Sequence, residues 1–142
     1  MELTEHVLDS VNDACRFIRE TVFVEEQGFE EEFDALDGTA VHFLLSVDGK
    51  PIATARMMNG AQDGEFVVGR VAVLREYRGQ HLGGRIMKLV EREALRRGGR
   101  RISLSAQCHA RGFYEKLGYT ASGPAFLEQL CEHIPMEKQL KT

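Results

Sequence analysis

A chain of 142 residues with a hydrophobic share of 43%, a charged share of 28% and a net charge of −4 has the make-up of one folded domain, residues 1–142, with one core. No run of residues is apolar and long enough to span a membrane, the acid-bearing start lacks the basic region of a signal peptide, and the negative balance argues against general nucleic-acid binding. The expected location is cytoplasmic, and Cys15, Cys108 and Cys131, odd in number and widely spaced, read as reduced thiols rather than as a disulfide framework or zinc site.

Leu3 to Leu8 is the first expected strand, and Asp9 or Ser10 is the expected cap of a helix that follows. On that helix Val11, Ala14, Cys15, Ile18, Val22 and Phe23 recur at three- and four-residue spacing, so one face packs on a core, and the helix ends before Gly28. The segment VFVEEQGFEEEFDALDG is dense in carboxylates (Glu25, Glu26, Glu30, Glu31, Glu32, Asp34, Asp37) and reads as an exposed loop or short helix; a solvated surface and a role toward a cationic substrate both stay open. Ala40 to Val47, then Asp48-Gly49, then Pro51 to Met58 predict a hairpin. Asn59 to Gly64 reverses the chain again, and Glu65 to Leu74 completes an antiparallel meander.

That last strand delivers the turn RGQHLGG, from Arg78 to Gly84, into a helix expected to start near Leu82. Glycines at Gly79, Gly83 and Gly84 permit positive φ and leave no Cβ in the way of a ligand, while a helix N-terminus offers unsatisfied N–H donors and partial positive charge. Such a turn suits an anion, most naturally a pyrophosphate. It is neither a P-loop, because the Gly-Lys-Ser/Thr ending is missing, nor the dinucleotide motif GxGxxG. On the turn alone, a purely structural strand-to-helix connection stays open. Ile86, Leu89, Val90, Glu93 and Ala94 give a helix with an apolar stripe, and Gly98-Gly99 closes it behind Arg96 and Arg97. Ile102 to Ala106 is a short buried strand. From about His109 a short helix runs to Gly118, and closing strands follow from Tyr119.

Arg78, Gly79, Gln80, His81, Leu82 and Gly83 resemble the acyl-coenzyme A loop of the GCN5-related N-acetyltransferases, Gln/Arg-x-x-Gly-x-Gly/Ala, with His81 standing where the family has its first glycine. A second stretch, QCHARGFYEKLGY, is similar to the family's NxxAxxFYxxxGF segment, with Gln107 at the Asn position followed by Ala110, Phe113, Tyr114, Gly118 and Tyr119. The resemblance covers roughly residues 40–119. VFVEEQ, Asp34, Asp37, His42 and the late EHIPM (Glu132 to Met136) look similar to a bacterial branch of small acetyltransferases of uncertain substrate.

This resemblance implies a mixed α/β (α+β) fold: a twisted, mostly antiparallel sheet with helices on both faces and a V-shaped splay that holds acyl-CoA. It implies acetyl-CoA as co-substrate, no metal, and direct transfer of the acetyl group to a primary amine of a small molecule or peptide through a tetrahedral intermediate. Val71, Ala72 and Val73 would serve the pantetheine arm through backbone groups, with a bulge expected between Val71 and Val73. Arg78, Gly79, Gln80, His81, Leu82, Gly83 and Gly84 would hold the pyrophosphate, and Gln107 and Tyr114 would complete the cofactor site. Tyr114 is the expected general acid.

A lysine-like amine of pKa about 10.4 is free base in only about one part in 2,500 at neutral pH, whereas an α-amine near pKa 8 needs little help. Glu65, His109, Glu26 and His42 are the candidate bases, Glu65 foremost; Glu26, Gln27 and His42 are the candidate acceptor-binding residues. Cys108 fits a small residue at a strand end better than a covalent nucleophile. A non-catalytic acyl-CoA sensor or interaction module on the same fold, a non-amine acceptor, and assembly as a homodimer stay open.

Overall fold

The computed structural model describes residues 2–29 and 35–141; the expected acidic role of Glu30, Glu31, Glu32 and Asp34 falls outside them. Strand β1 (Leu3–Leu8) is followed by helix α1 (Asp13–Arg19), which runs on without a break as π-helical turns over Glu20–Glu26. Its cap is Asn12, whose side chain accepts from the Cys15 N–H, in place of Asp9 or Ser10. Strands β2 (Val41–Val47) and β3 (Lys50–Asn59) form the expected hairpin, closed by Asp48 and Gly49, which turn with φ of 49° and 83°. Strand β4 (Glu65–Val73) then leads through a 3₁₀ turn at Arg75–Tyr77 to helix α2 (Leu82–Arg96).

The remainder is strand β5 (Arg101–Gln107), a 3₁₀ turn over Cys108–Ala110, the short helix α3 (Arg111–Lys116), and strands β6 (Thr120–Ala121), β7 (Phe126–Glu128) and β8 (Cys131–Gln139). The sheet order is β1-β2-β3-β4-β5-β8-β6, with β7 also on β8. All neighbours are antiparallel except β4 and β5. α2 is the crossover between that parallel pair.

Side chains alternate across the sheet, so two cores form. Beneath α2 lie Phe43, Leu45, Ile52, Met57, Phe66, Val68, Ile86, Met87, Val90, Ile102, Leu104 and Met136. On the other face α1 and its π-helical extension bury Cys15, Ile18, Val22 and Phe23 against Leu44, Ala72 and Leu74. The helices therefore stand on both faces of a mixed α/β, mostly antiparallel sheet, as the resemblance implied.

One part of the acidic segment departs from its expected exposure. Asp37 is buried, because the guanidinium of Arg19 meets its two oxygens at 2.9 and 3.1 Å and that of Arg56 meets one at 3.0 Å. Three charges from three distant segments are desolvated together there, and the pairing is what makes the burial tolerable.

Candidate active site

The parallel pairing of β4 with β5 runs only from Glu65 and Arg101 to Val68 and Leu104. Beyond it β4 continues to Val73 and β5 to Gln107 without pairing to each other, so the sheet opens. A bulge sharpens the opening: Thr54 faces Ala72 but Arg56 faces Gly69, leaving Arg70 and Val71 opposite a single residue of β3, with Arg70 at φ 53°. The bulge thus precedes the expected position between Val71 and Val73. The extra residue reverses the alternation, so Ala72 packs toward α1 while Val71 and Val73 pack toward α2.

A cavity of about 1070 Å³ occupies the opening, walled by the end of β4, the start of α2, the end of β5 and α3. Val71, Ala72, Val73, Arg78, Gly79, His81, Leu82, Gly83, Gly84, Gln107 and Tyr114 all line it, whereas the exposed Gln80 does not. In the turn, Gly79 takes φ 81° and His81 takes φ 63° as the residue before α2. The left-handed conformation at His81 explains why a glycine would be the natural residue there. No side chain caps α2, so its first N–H groups are left for a ligand.

Gly83 and Gly84 lie in ordinary helical backbone, which changes the reason for their lack of a side chain. A Cβ on Gly83 would stand 3.0 Å from two ring carbons of Phe113. The glycine therefore lets α3 close onto the start of α2. Phe113 in turn packs against Tyr114, ring centroids 4.9 Å apart, and Tyr114 against Tyr119 at 5.8 Å. Tyr114 is 8% exposed, and its hydroxyl has no hydrogen-bond partner among the described residues. Burial pushes its pKa above the ordinary phenol value, so it is held protonated.

Arg78 is fixed from two sides. Its Nε donates to the Val73 carbonyl at 2.9 Å, and its two terminal nitrogens donate to the Glu26 carboxylate at 2.6 and 2.8 Å. These hydrogen bonds hold the Glu26 carboxyl below its ordinary pKa and raise that of Arg78. Arg75 adds a second cation 3.5 Å from Glu26. Next to it, Gln27 accepts from Gln107 at 2.9 Å, and the Gln107 carbonyl oxygen meets His109 Nε2 at 2.6 Å. Glu26 and Gln27 thereby tie the end of the π-helical segment to both walls of the opening.

Two expected site residues are elsewhere. Glu65 opens β4 at the closed end of the parallel pair, where Arg101 and the Ala61 N–H bind its carboxylate and hold its pKa down. It does not line the cavity, so the base expected there is not at the opening. His42 is 0% exposed, faces the buried Asp37 carbonyl through Nε2 at 3.0 Å, and has no access to an acceptor. In the opposite sense, Met58, Phe29, Glu128 and His133 line the cavity without having been expected there. For His133 the signal was the EHIPM stretch, whose place beside β5 only the register of β8 reveals. Among the described residues no cluster of three His, Cys, Asp or Glu side chains forms a metal site, and no helix is long and apolar enough to cross a membrane.

Comparison with known proteins agrees with this geometry. Residues 9–140 match the family model described as an acetyltransferase (GNAT) domain. A Bacillus subtilis (strain 168) protein named as an acetyltransferase is 37% identical over 127 residues, covering 86% of this chain and 85% of its own. The crystal structure of an N-acetyltransferase from Lactobacillus plantarum superposes with a TM-score of 0.91 at 28% identity, covering 99% of this chain and 100% of that one. An acyl-CoA N-acyltransferase from Pseudomonas aeruginosa gives a TM-score of 0.85 at 29% identity over 96% of this chain and 99% of that one.

Proposed function

The chain belongs to the GNAT acetyltransferase family, and on that premise we propose that it transfers an acetyl group from acetyl-CoA directly to a primary amine of a small molecule or peptide. The observation that carries this reading is the meeting of three parts at one opening: the end of the β4–β5 pairing, the uncapped start of α2 and the phenol of Tyr114.

Acyl-CoA supplies the activated thioester. The turn from Arg78 to Gly84 fits its diphosphate, because Gly79 has nothing within 4 Å of a virtual Cβ and α2 begins without a cap. Gln80 has no place at the cavity wall and is left with a role in the backbone of the turn. Backbone groups of β4 beyond Val68, released from β5, serve the pantetheine arm and the oxygen that becomes negative in the tetrahedral intermediate. Tyr114 holds its proton at neutral pH and gives it to the departing thiolate. Glu26, expected to bind the acceptor, has Arg78 as its partner and sets that guanidinium beside the turn. Gln27, Gln107 and His109 form a polar edge for the acceptor.

A screen of primary amines, polyamines and peptides for release of free thiol from acetyl-CoA tests the reading. Thiol release dependent on an amine, with the acetylated amine identified by mass, is the expected result. Binding of acetyl-CoA with no acceptor-dependent release from any of these classes contradicts it.

A further inference from the structure

Strand β8 carries a histidine that the reaction described above leaves unused. His133 is 5% exposed, while its neighbours Ile134 and Met136 sit in the core beneath α2. Alternation along the strand puts His133 on the side of α1, opposite Gln107 of β5, where it lines the cavity. Its ring stacks on Phe126 with centroids 5.8 Å apart and 23° between planes. Nδ1 lies 2.9 Å from the Cys131 carbonyl oxygen, and Nε2 lies 3.7 Å from a Glu128 carboxylate oxygen. A carbonyl oxygen can only accept, so the hydrogen is on Nδ1, and in the neutral ring Nε2 keeps its lone pair.

Other candidate bases are engaged. Glu65 is bound by Arg101 away from the cavity, Glu26 by Arg78, and His42 is sealed in the core. His109 points Nε2 at the side-chain carbonyl oxygen of Gln107, whose amide nitrogen is committed to Gln27, so that Nε2 carries a hydrogen and the nitrogen on this polar edge cannot accept a proton.

We infer that Nε2 of His133 takes the proton from the acceptor's ammonium, with Glu128 as counter-charge to the imidazolium that forms. The inference rests on the amine-acetylation reading. The alkylammonium gives one proton to Nε2, and the freed nitrogen lone pair forms the C–N bond to the thioester carbon. The C–S bond breaks with its electron pair on sulfur, which takes the Tyr114 proton. A second nitrogen proton returns to the tyrosine oxygen through water, and His133 releases its own to solvent. Ammonium and thioester thus become amide, thiol and one proton. Of the ionisable groups, Glu128 from β7 is the near charge, His109 from the turn after β5 and Tyr114 from α3 line the same cavity, and Cys131 and Glu132 adjoin His133 along β8.

Two measurements test this. The first is the ¹⁵N spectrum of histidine-labelled protein at neutral pH, which should give His133 a protonated Nδ1 and an unprotonated Nε2. The opposite tautomer overturns the assignment whether or not an acceptor is known. The second compares His133→Gln with wild type on acetyl-CoA with n-butylamine, a lysine-type amine, and with glycinamide, an α-amine. With n-butylamine at neutral pH, kcat/KM should fall by about 10²- to 10⁴-fold and rise steadily with pH toward the amine's own pKa, with glycinamide it should fall less, and acetyl-CoA affinity should stay unchanged. Equal losses with both amines, or none, overturn the inference. Glu128→Gln, at an exposed side chain that leaves the ring in place, should lower the n-butylamine rate several-fold; an unchanged rate removes Glu128 from the account. A wild-type protein that does not bind acetyl-CoA would sink the acyl-transfer reading itself, and the tautomer would still decide where the lone pair lies.

Discussion

Gly83 couples the turn to the helix that carries Tyr114, and the coupling has a size. A Cβ at Gly83 would lie 3.0 Å from Cε1 and Cζ of Phe113 and 3.9 Å from a Val73 methyl. Carbon atoms rest at about 3.5–4.0 Å, so in Gly83→Ala the ring must retreat by about half an ångström or more. Phe113 is 38% exposed and has somewhere to go, which puts the overpacking at the low end of the usual range, about 1–2 kcal/mol. Alanine in place of glycine in a helix gains up to about 1 kcal/mol, so the net loss of stability should be about 0–1 kcal/mol. With the ring removed by Phe113→Ala, only the gain remains. The same Gly83→Ala change should then stabilise by up to about 1 kcal/mol, a coupling of about 1–2 kcal/mol in the double-mutant cycle. Urea midpoints of the four proteins, with slopes compared to confirm two-state unfolding, give this number. An identical effect of Gly83→Ala in both backgrounds would refute the reasoning that Phe113 is what the glycine accommodates. Gly83→Val, with two more carbons to place, should lose both stability and acetyl-CoA affinity rather than affinity alone.

His81→Gly should raise stability by about 1 kcal/mol through relief of the left-handed backbone, less the extra entropy of the unfolded chain, with acetyl-CoA bound at least as tightly; a loss of affinity above about tenfold in calorimetric titration would mean that the imidazole itself meets the phosphates. Glu65→Gln should leave kcat within about twofold of wild type, since the carboxylate is away from the cavity, and a fall of the size given by general-base loss, about 10²-fold or more, would return Glu65 to the mechanism. Glu93 is held at a pKa of about 2 by hydrogen bonds from Arg96 and also Arg97. A carboxyl depressed in the folded state adds stability above its unfolded pKa and loses it as pH falls toward the folded one. Wild-type stability should therefore drop more steeply than that of Glu93→Gln between about pH 4.5 and 2, as read by denaturation at fixed pH; parallel curves would remove this pair from the balance.

The parts that could be read from the letters are those whose cause is local. Asp48-Gly49 set a hairpin by turn geometry, the stripe from Leu82 to Ala94 set α2 by its period, and Gly98 ended it. The site was legible where it is contiguous, in the turn after β4 and in the FY pair of α3. It was not legible where strand register decides. His133 reaches the cavity only because β8 returns alongside β5, and Glu65 leaves it because the parallel pairing starts, rather than ends, at that residue. Arg19, Asp37 and Arg56 found each other across three segments, so a carboxylate in an acidic run became the buried member of an ion network. The bulge at Arg70 had no glycine at the strained position to announce it.

The most direct test of the account is Tyr114→Phe, which keeps a ring packed between Phe113 and Tyr119 and removes only the oxygen. With an acceptor found in the amine screen and chemistry shown to be rate-limiting, kcat should fall by about 10²- to 10⁴-fold while the calorimetric affinity for acetyl-CoA changes little. A purified, folded variant that turns over at near wild-type kcat would contradict the account, leaving Tyr114 as a core aromatic and the proton of the leaving thiol without a donor in this cleft.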